Sequence, residues 1–408
     1  MSDTLLSKLV RTIARPVGKS ERHRARLHLL DWLACVAGAR GQEAAELGSA
    51  VSTRGWERAT YSGNALGMED ADRSATLHPG PVIWPTAMSM PSADMDMRLD
   101  AAVRGYEAMI AIGSTLDERH NSLWDATATT GGFGAATTFG SLIGFAPVEY
   151  ANALGNAGSV AGGLMHMQHG DVLTGQWHIF HAVRTGRDAA LHVHYGATGP
   201  QAILEGEQGL FAAFGQAPEA LCYVSDSWHI HKARCQFRFA QLHTHAATEA
   251  ALGLRADGKL EGPYHLETFG RALRLGDIPS PANAREARAS LQHVIAVIAD
   301  GRSVELRDFT MDAVQELADL RAQVSVREDL EMTARFPARS GARLNGFEPA
   351  ETSDDRTNPV SEKELIEKMH TLAKWGGLPD SEAHKAVSLA LHEHDANALD
   401  TLLEDWTR

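Results

Sequence analysis

GGFGAATTFGSLIGF (131–145) and YANALGNAGSVAGGL (150–164) decide how this chain of 408 residues folds. Both stretches are dense in Gly, Ala, Ser and Thr, and each Gly costs a helix about 1 kcal/mol against Ala. Phe, Leu, Ile and Val are interleaved throughout, which argues against a flexible linker. Side chains this small let backbones approach closely, so the pair reads as two tightly packed central helices joined near Pro147.

Helical patterns surround them. Arg22 to Ala39 gathers Leu27, Leu30, Trp32, Leu33, Val36 and Ala37 near helical spacing, and Leu99 to about Asp117 does so with Val103, Tyr106, Ile110 and Ile112. A further helix runs from about Gln176 to Tyr195, ending before the GATGP turn at 196–200. Past Cys235 the pattern changes. Helices at Arg285–Ala299 and Met311–Ala322 precede AQVSVRE (322–328) and LEMTARF (330–336), whose period-two alternation predicts strands of a small antiparallel sheet. Asp354 to Pro359 is a polar break, and 361–374 and 381–406 return to helix behind the capping residues Ser361 and Ser381. The expected fold is mainly α with an inserted α+β domain. Residues 1–235 and 351–408 make a large helical domain, and 236–350 a smaller domain with the antiparallel sheet.

Lys and Arg number 38 against 52 Asp and Glu, a net charge of −14. That balance lacks the basic patch that nucleic-acid phosphates require and disfavours an anionic membrane surface. No run approaches the roughly 18 apolar residues of a membrane span, and the first residues lack the apolar core of a secretory signal. Three cysteines, Cys35, Cys222 and Cys235, cannot form a disulfide framework, so the reducing cytoplasm is the expected compartment.

Residues 61–97 mix Gly, Pro and acids with little periodicity, as loops that carry chemistry do. Within them His78 stands in ATLHPG near Asp70, Asp72, Arg73 and Ser74. An imidazole there can remove or return a proton at carbon while carboxylates tune and orient it; a loop histidine bonded only for structure is the alternative. His178, His181 and Arg184 fall at i, i+3 and i+6, a stripe that either binds a carboxylate through Arg184 or is simply a solvated face. Asp125 precedes the small-residue helices beside Thr127 and Thr129, and is equally an ordinary acid at a helix start. Histidine pairs recur (166/169, 178/181, 192/194, 229/231, 243/245, 392/394), yet none has HExxH spacing or a CxxC partner, and the cysteines lack the spacing of an iron–sulfur site. No metal is expected.

LHLLDWLACVAGA (27–39), NALGMEDADRSATLHPG (64–80), RGYEAMIAIG (104–113), TATTGGFGAA (127–136), GATGPQAILEGEQGLFAAF (196–214), ARASLQHVIAVIADG (287–301) and NPVSEKELIEKM (358–369) together resemble the MmgE/PrpD family, in the family's order and over nearly the whole chain. Its members include dehydratases, decarboxylases and an epimerase acting on small carboxylic acids. The resemblance implies a helical domain, an inserted α+β lid, a homodimer, a small carboxylate substrate, and catalysis with no metal or organic cofactor.

It also implies site residues. The family's first acid, loop hydroxyl and loop histidine fall at Asp70, Ser74 and His78, with Asp72 in the same acid cluster. Where family members carry a histidine in a GFHxT-like segment, this chain has Asp125. Where they carry lysine in K-x-L-H, it has Gly175, and only His178 remains. Aligning their KPYP and HTH segments on His243-Thr244-His245 places Gln236, Phe237, Arg238 and Phe239 at the former. Two lost ammonium groups would have stabilised a tricarboxylate and its carbanion, so a substrate with fewer carboxylates, or one bearing its own amine, suits this chain better. The resulting assignment has His78 as principal base or acid, Asp70 and Asp72 orienting it, and Asp125 with His178 handling a second proton. Arg73, Ser74, Thr127, Arg184, Gln236 and Arg238 would bind substrate. A lyase is the leading expectation, an epimerase or isomerase the second, and a catalytically degenerate metabolite-binding protein the third.

Overall fold

The structure is a computed structural model that describes residues 4–170, 172–215, 221, 227–236, 239–336, 338–349 and 360–408. The chain divides into two compact units, Met1–Cys235 with Glu362–Arg408, and Gln236–Ser361. Among the described residues no helix is long and apolar enough to cross a membrane.

In the first unit, α1 (Lys19–Gly38) is buried on nearly every face from Ala25 onward, His28 and Asp31 included. It leads through the acid-rich loop to α2 (Gly80–Met88), α3 (Met95–Gly113), α4 (Ala126–Leu142), α5 (Pro147–Gly158) and α6 (Thr174–His194). The two small-residue runs meet where Gly158 of α5 lies under Phe133 of α4, whose ring Cζ a methyl would meet at 2.6 Å, and a glycine outside both runs makes a second close approach. A methyl on Gly186 of α6 would fall 2.5 Å from the Ala135 Cβ and 2.6 Å from the Ala136 nitrogen of α4. Phe139, Ala153, Ala157, Ala190 and Val193 close the core around that contact.

α5 stops six residues short of the expected helix over 150–164. Residues 161–164 instead run alongside the approach to α4: Asp125 N–H donates to the Gly163 carbonyl (2.8 Å), and Trp124 bridges Leu164. Gly163, within this extended run, takes φ +110°, which L side chains rarely adopt.

The second unit is mainly helical around a small sheet. It contains α7 (His245–Ala256), β1 (Tyr264–Thr268), α8 (Ala284–Ala289), α9 (Leu291–Ala299), β2 (Val324–Glu328) and β3 (Ala342–Leu344). The strand order is β2-β1-β3, with β1 parallel to β2 (Tyr264 opposite Val324) and antiparallel to β3 (Leu266 opposite Leu344). The sheet is therefore mixed rather than antiparallel. LEMTARF is the other correction: Leu330–Arg335 is a short helix, because Asp329 accepts the N–H groups of Glu331 and Met332 as its cap. Its alternation never had a face to bury, since Leu330 is 76% exposed while Met332 is enclosed. Ser290 divides the expected helix at 285–299 by capping α9 through the His293 N–H.

The chain returns to the first unit with α10 (Glu362–Trp375), α11 (Asp380–Leu391) and α12 (Ala396–Trp406). Pro379, not Ser381, occupies the N-cap position of α11. The expected polar break at 354–359 lies outside the described residues.

Candidate active site

The acid-rich loop is held at both ends by main-chain pairing. Ala71 exchanges hydrogen bonds with Arg234 (2.9 and 2.8 Å), and Asp72 with Leu77 (2.9 and 3.2 Å). Inside the resulting turn the buried Asp72 carboxylate accepts from the Ser74 hydroxyl (2.6 Å) and the Ala75 N–H (2.9 Å). Asp72 and Ser74 thus engage each other and shape the turn that presents His78.

Asp70 lies deeper. One of its oxygens meets His28 Nδ1 at 2.6 Å and the Tyr106 hydroxyl at 2.5 Å, and the other accepts the Gly80 N–H at 2.8 Å. Burial alone would raise this carboxyl, but His28, Tyr106 and the Gly80 amide outweigh it and hold Asp70 below the usual carboxylate range. Burial, aided by the charge of Arg24, pushes His28 down, so a neutral imidazole donates to an ionised carboxylate. This cluster ties α1, α3 and the start of α2 to the loop.

His78 is joined to Asp70 by the backbone. Its Nδ1 lies 2.9 Å from the Asp70 carbonyl and 3.6 Å from the Glu69 carboxylate, and its N–H donates to the Thr127 hydroxyl (3.1 Å). A carbonyl only accepts, so Nδ1 carries the hydrogen, and in the neutral ring Nε2 keeps its lone pair. Glu69 is buried and burial pushes its pKa up, against the lowering effect of His78.

Asp125 caps α4 by accepting the Thr127 N–H at 2.9 Å, and its other oxygen is 3.6 Å from His178 Nδ1. Burial would raise Asp125, but His178, the Thr127 amide and His78 together hold it low. At 3.6 Å the His178 contact is too long for a hydrogen bond, and the buried Nδ1 has no such partner among the described residues. His178 also borders a cavity of about 780 Å³ between α4, residues 157–170 and α6. Thr129, Met167, His169 and Trp177 are among its lining residues; lysine, arginine and carboxylates are absent from the described ones.

The structure thus gathers Asp70, Asp72, Ser74, His78, Thr127, Asp125 and His178. Arg73 sits half-buried on the same turn, its carbonyl accepting from Thr76 (3.4 Å). Arg184 goes elsewhere: its guanidinium pairs with Glu57 at 3.1 Å and lies over the Phe180 ring. The expected stripe fails on geometry, because six residues at about 100° each leave His178 and Arg184 roughly 120° apart around α6. His178 is buried, while His181 is exposed and stacked on Trp177. Gln236 is buried at the start of the second unit, and Arg238 lies outside the described residues.

The sequence model of the MmgE/PrpD N-terminal domain matches residues 59–221, and that of the MmgE/PrpD C-terminal domain matches 240–393. The chain belongs to the MmgE/PrpD family. Within it, a curated relative is the cis-aconitate decarboxylase of Aspergillus terreus, 25% identical over 243 residues. The match covers 54% of this MmgE/PrpD chain and 48% of the relative, so it spans about half of the relative's length.

Several residues that build this MmgE/PrpD site lie within the resembling stretches yet are not among the candidates that sequence reasoning singles out. His28 and Asp31 stand as polar interruptions in the apolar run LHLLDWL, and Tyr106 reads as a core aromatic. A histidine and an aspartate at core-facing helical positions are the signal that points to buried partners. Lys368 has no comparable signal. Its Nζ donates to Asp31 (2.6 Å) and to the Met68 carbonyl (2.6 Å), all of it buried.

Proposed function

We propose that this MmgE/PrpD protein is a lyase that moves a proton at carbon beside a carboxylate of a small carboxylic acid, with His78 as the base. The observation that carries this reading is the contact between His78 Nδ1 and the Asp70 carbonyl, which leaves Nε2 as a fixed lone pair on a partly exposed ring. In a dehydration Nε2 takes the proton, the C–H electrons form the double bond, and hydroxide leaves from the neighbouring carbon with a proton supplied by the Asp125–His178 pair. In a decarboxylation the C–C bond electrons stay on carbon as carbon dioxide leaves, and carbon then takes the proton held by the Asp125–His178 pair. The named activity of the Aspergillus terreus relative supports this class of reaction. Gly175, standing where family members carry the lysine of K-x-L-H, favours a substrate with fewer carboxylates. A homodimer in the cytoplasm belongs to the same reading.

An epimerase is the second reading, favoured by one arrangement: Thr127 accepts the His78 N–H and donates its own N–H to Asp125, which lies 3.6 Å from His178 Nδ1, so two imidazoles of the kind that two-base inversion at carbon uses stand on either side of this pair. Mass spectrometry of small mono-, di- and tricarboxylates, amino and imino acids included, incubated with the protein in D2O separates the readings. Loss of water or carbon dioxide supports the lyase. Deuterium gain without change of formula replaces it with the epimerase. Thermal stabilisation by a compound that stays chemically unchanged, with no exchange, replaces both with a binding protein.

A further inference from the structure

The helical hairpin of α10 and α11 carries a second cluster of chemistry-bearing side chains. One nitrogen each of His370 and His384 and one carboxylate oxygen of Asp380 lie within 4.8 Å of one another. His370 Nδ1 is 2.5 Å from one Asp380 oxygen, and His384 Nδ1 is 3.2 Å from the other. The two rings stand edge to face, their centroids 4.5 Å apart. The backbone fixes this convergence. Asp380 and His384 are i and i+4 on α11, so they share a face. Gly377, at φ +74°, helps turn the chain so that His370, in α10, faces them.

We propose that His370, Asp380 and His384 form a binding site for a divalent transition-metal ion of the zinc class. Two imidazoles and a carboxylate are a donor set that such ions favour, and three protein ligands leave a position for water. Ligands about 2.0–2.2 Å from a tetrahedral ion lie roughly 3.3 Å from each other, so three donor atoms now within 4.8 Å of one another adjust when an ion binds. An ion replaces the protons that the two imidazoles now share with Asp380. His384 gives up its 2.9 Å contact with the Asp380 carbonyl in exchange. The site opens to solvent, with Asp380 72% and His384 68% exposed, so an ion has a direct route in. The sequence conceals the site because no short metal motif links His370 to Asp380; only the turn between the helices joins them.

The test is calorimetric titration of the chelator-stripped full-length protein with zinc ion, alongside thermal melts. Against wild type, His370→Ala and His384→Ala each lower the bound zinc by about one equivalent and lose the matching part of the rise in melting temperature, whereas His166→Ala keeps both. Far-UV circular dichroism confirms that the variants fold, and Asp380→Asn supplies a third, nearly isosteric variant that also binds less. Wild-type stoichiometry retained in both histidine variants overturns the proposal, as does the absence of saturable zinc binding by the wild type.

Discussion

Lys368 Nζ donates to the Met68 carbonyl at 2.6 Å, joining positions 300 residues apart, while holding Asp31 at the same distance. Met68 immediately precedes Glu69 and Asp70, so a cation from the last helices anchors the base of the loop that carries the site. Asp31 in turn keeps Lys368 protonated despite its burial.

Replacing Lys368 with Met leaves Asp31, which burial pushes up to about 7 even beside the lysine, to hold an unpaired charge or take up a proton in the core. The expected cost is about 3–5 kcal/mol in urea unfolding, and the Asp31→Asn/Lys368→Met double variant recovers much of it because the uncompensated charge is gone. A single-variant cost under about 1 kcal/mol, or strict additivity in the double variant, contradicts this account.

His78→Ala removes the proton-transfer group while leaving Asp70 and its partners in place. Turnover of whichever acid proves to be the substrate is expected to fall about 10²–10⁴-fold, with stability changed by about 1 kcal/mol or less. Steady-state kinetics beside a thermal melt reads both; full activity in the variant removes His78 from the reaction.

Acid lability is expected in the second unit. His293 is fully buried, with Nε2 2.8 Å from the Asp308 carbonyl. Burial, helped by Arg321 and Arg302, pushes its pKa down to about 4 from 6.5. The unfolded chain therefore binds the extra proton between those values. The stability contribution is complete above pH 6.5 and lost as pH falls toward 4, by about 3 kcal/mol at most. Hydrogen exchange of α9 amides across that range, in wild type and His293→Gln, checks the sign: the variant's profile is flatter, and parallel profiles refute it.

Gly186→Ala tests the close approach of α4 and α6. The new methyl meets Ala135 and the main chain of Ala136 rather than a flexible side-chain tip. A loss of about 1–3 kcal/mol is expected despite the gain in helix propensity, read from denaturant midpoints. A neutral or stabilising result means that the helices can separate without penalty.

Much of the fold was legible because its signals are local. The small-residue runs specify two helices that approach closely, and the apolar spacing of Arg22–Ala39 and Leu99–Asp117 specifies two more. Local signals misled where a polar group intervened. Asp329 turned the alternating LEMTARF into a helix, and Ser290 split the helix at 285–299, because a cap satisfies main-chain N–H groups more directly than periodicity directs them. Nor does alternation state direction: AQVSVRE marks a strand, but whether its neighbour runs parallel depends on the path of the chain between them.

The sequence by itself determined the family, the mainly helical class with a small sheet, and the loop on which His78 stands among acids. Those follow from composition, periodicity and motif order, which neighbouring residues carry. Only the tertiary structure decided that Asp70 reaches His78 through its carbonyl while its carboxylate binds His28 and Tyr106, that Arg184 belongs to Glu57, and that Lys368 supports the loop. Each of these is a contact across long sequence separation, where the direction of a side chain on its helix and the need to pair every buried charge select the partner.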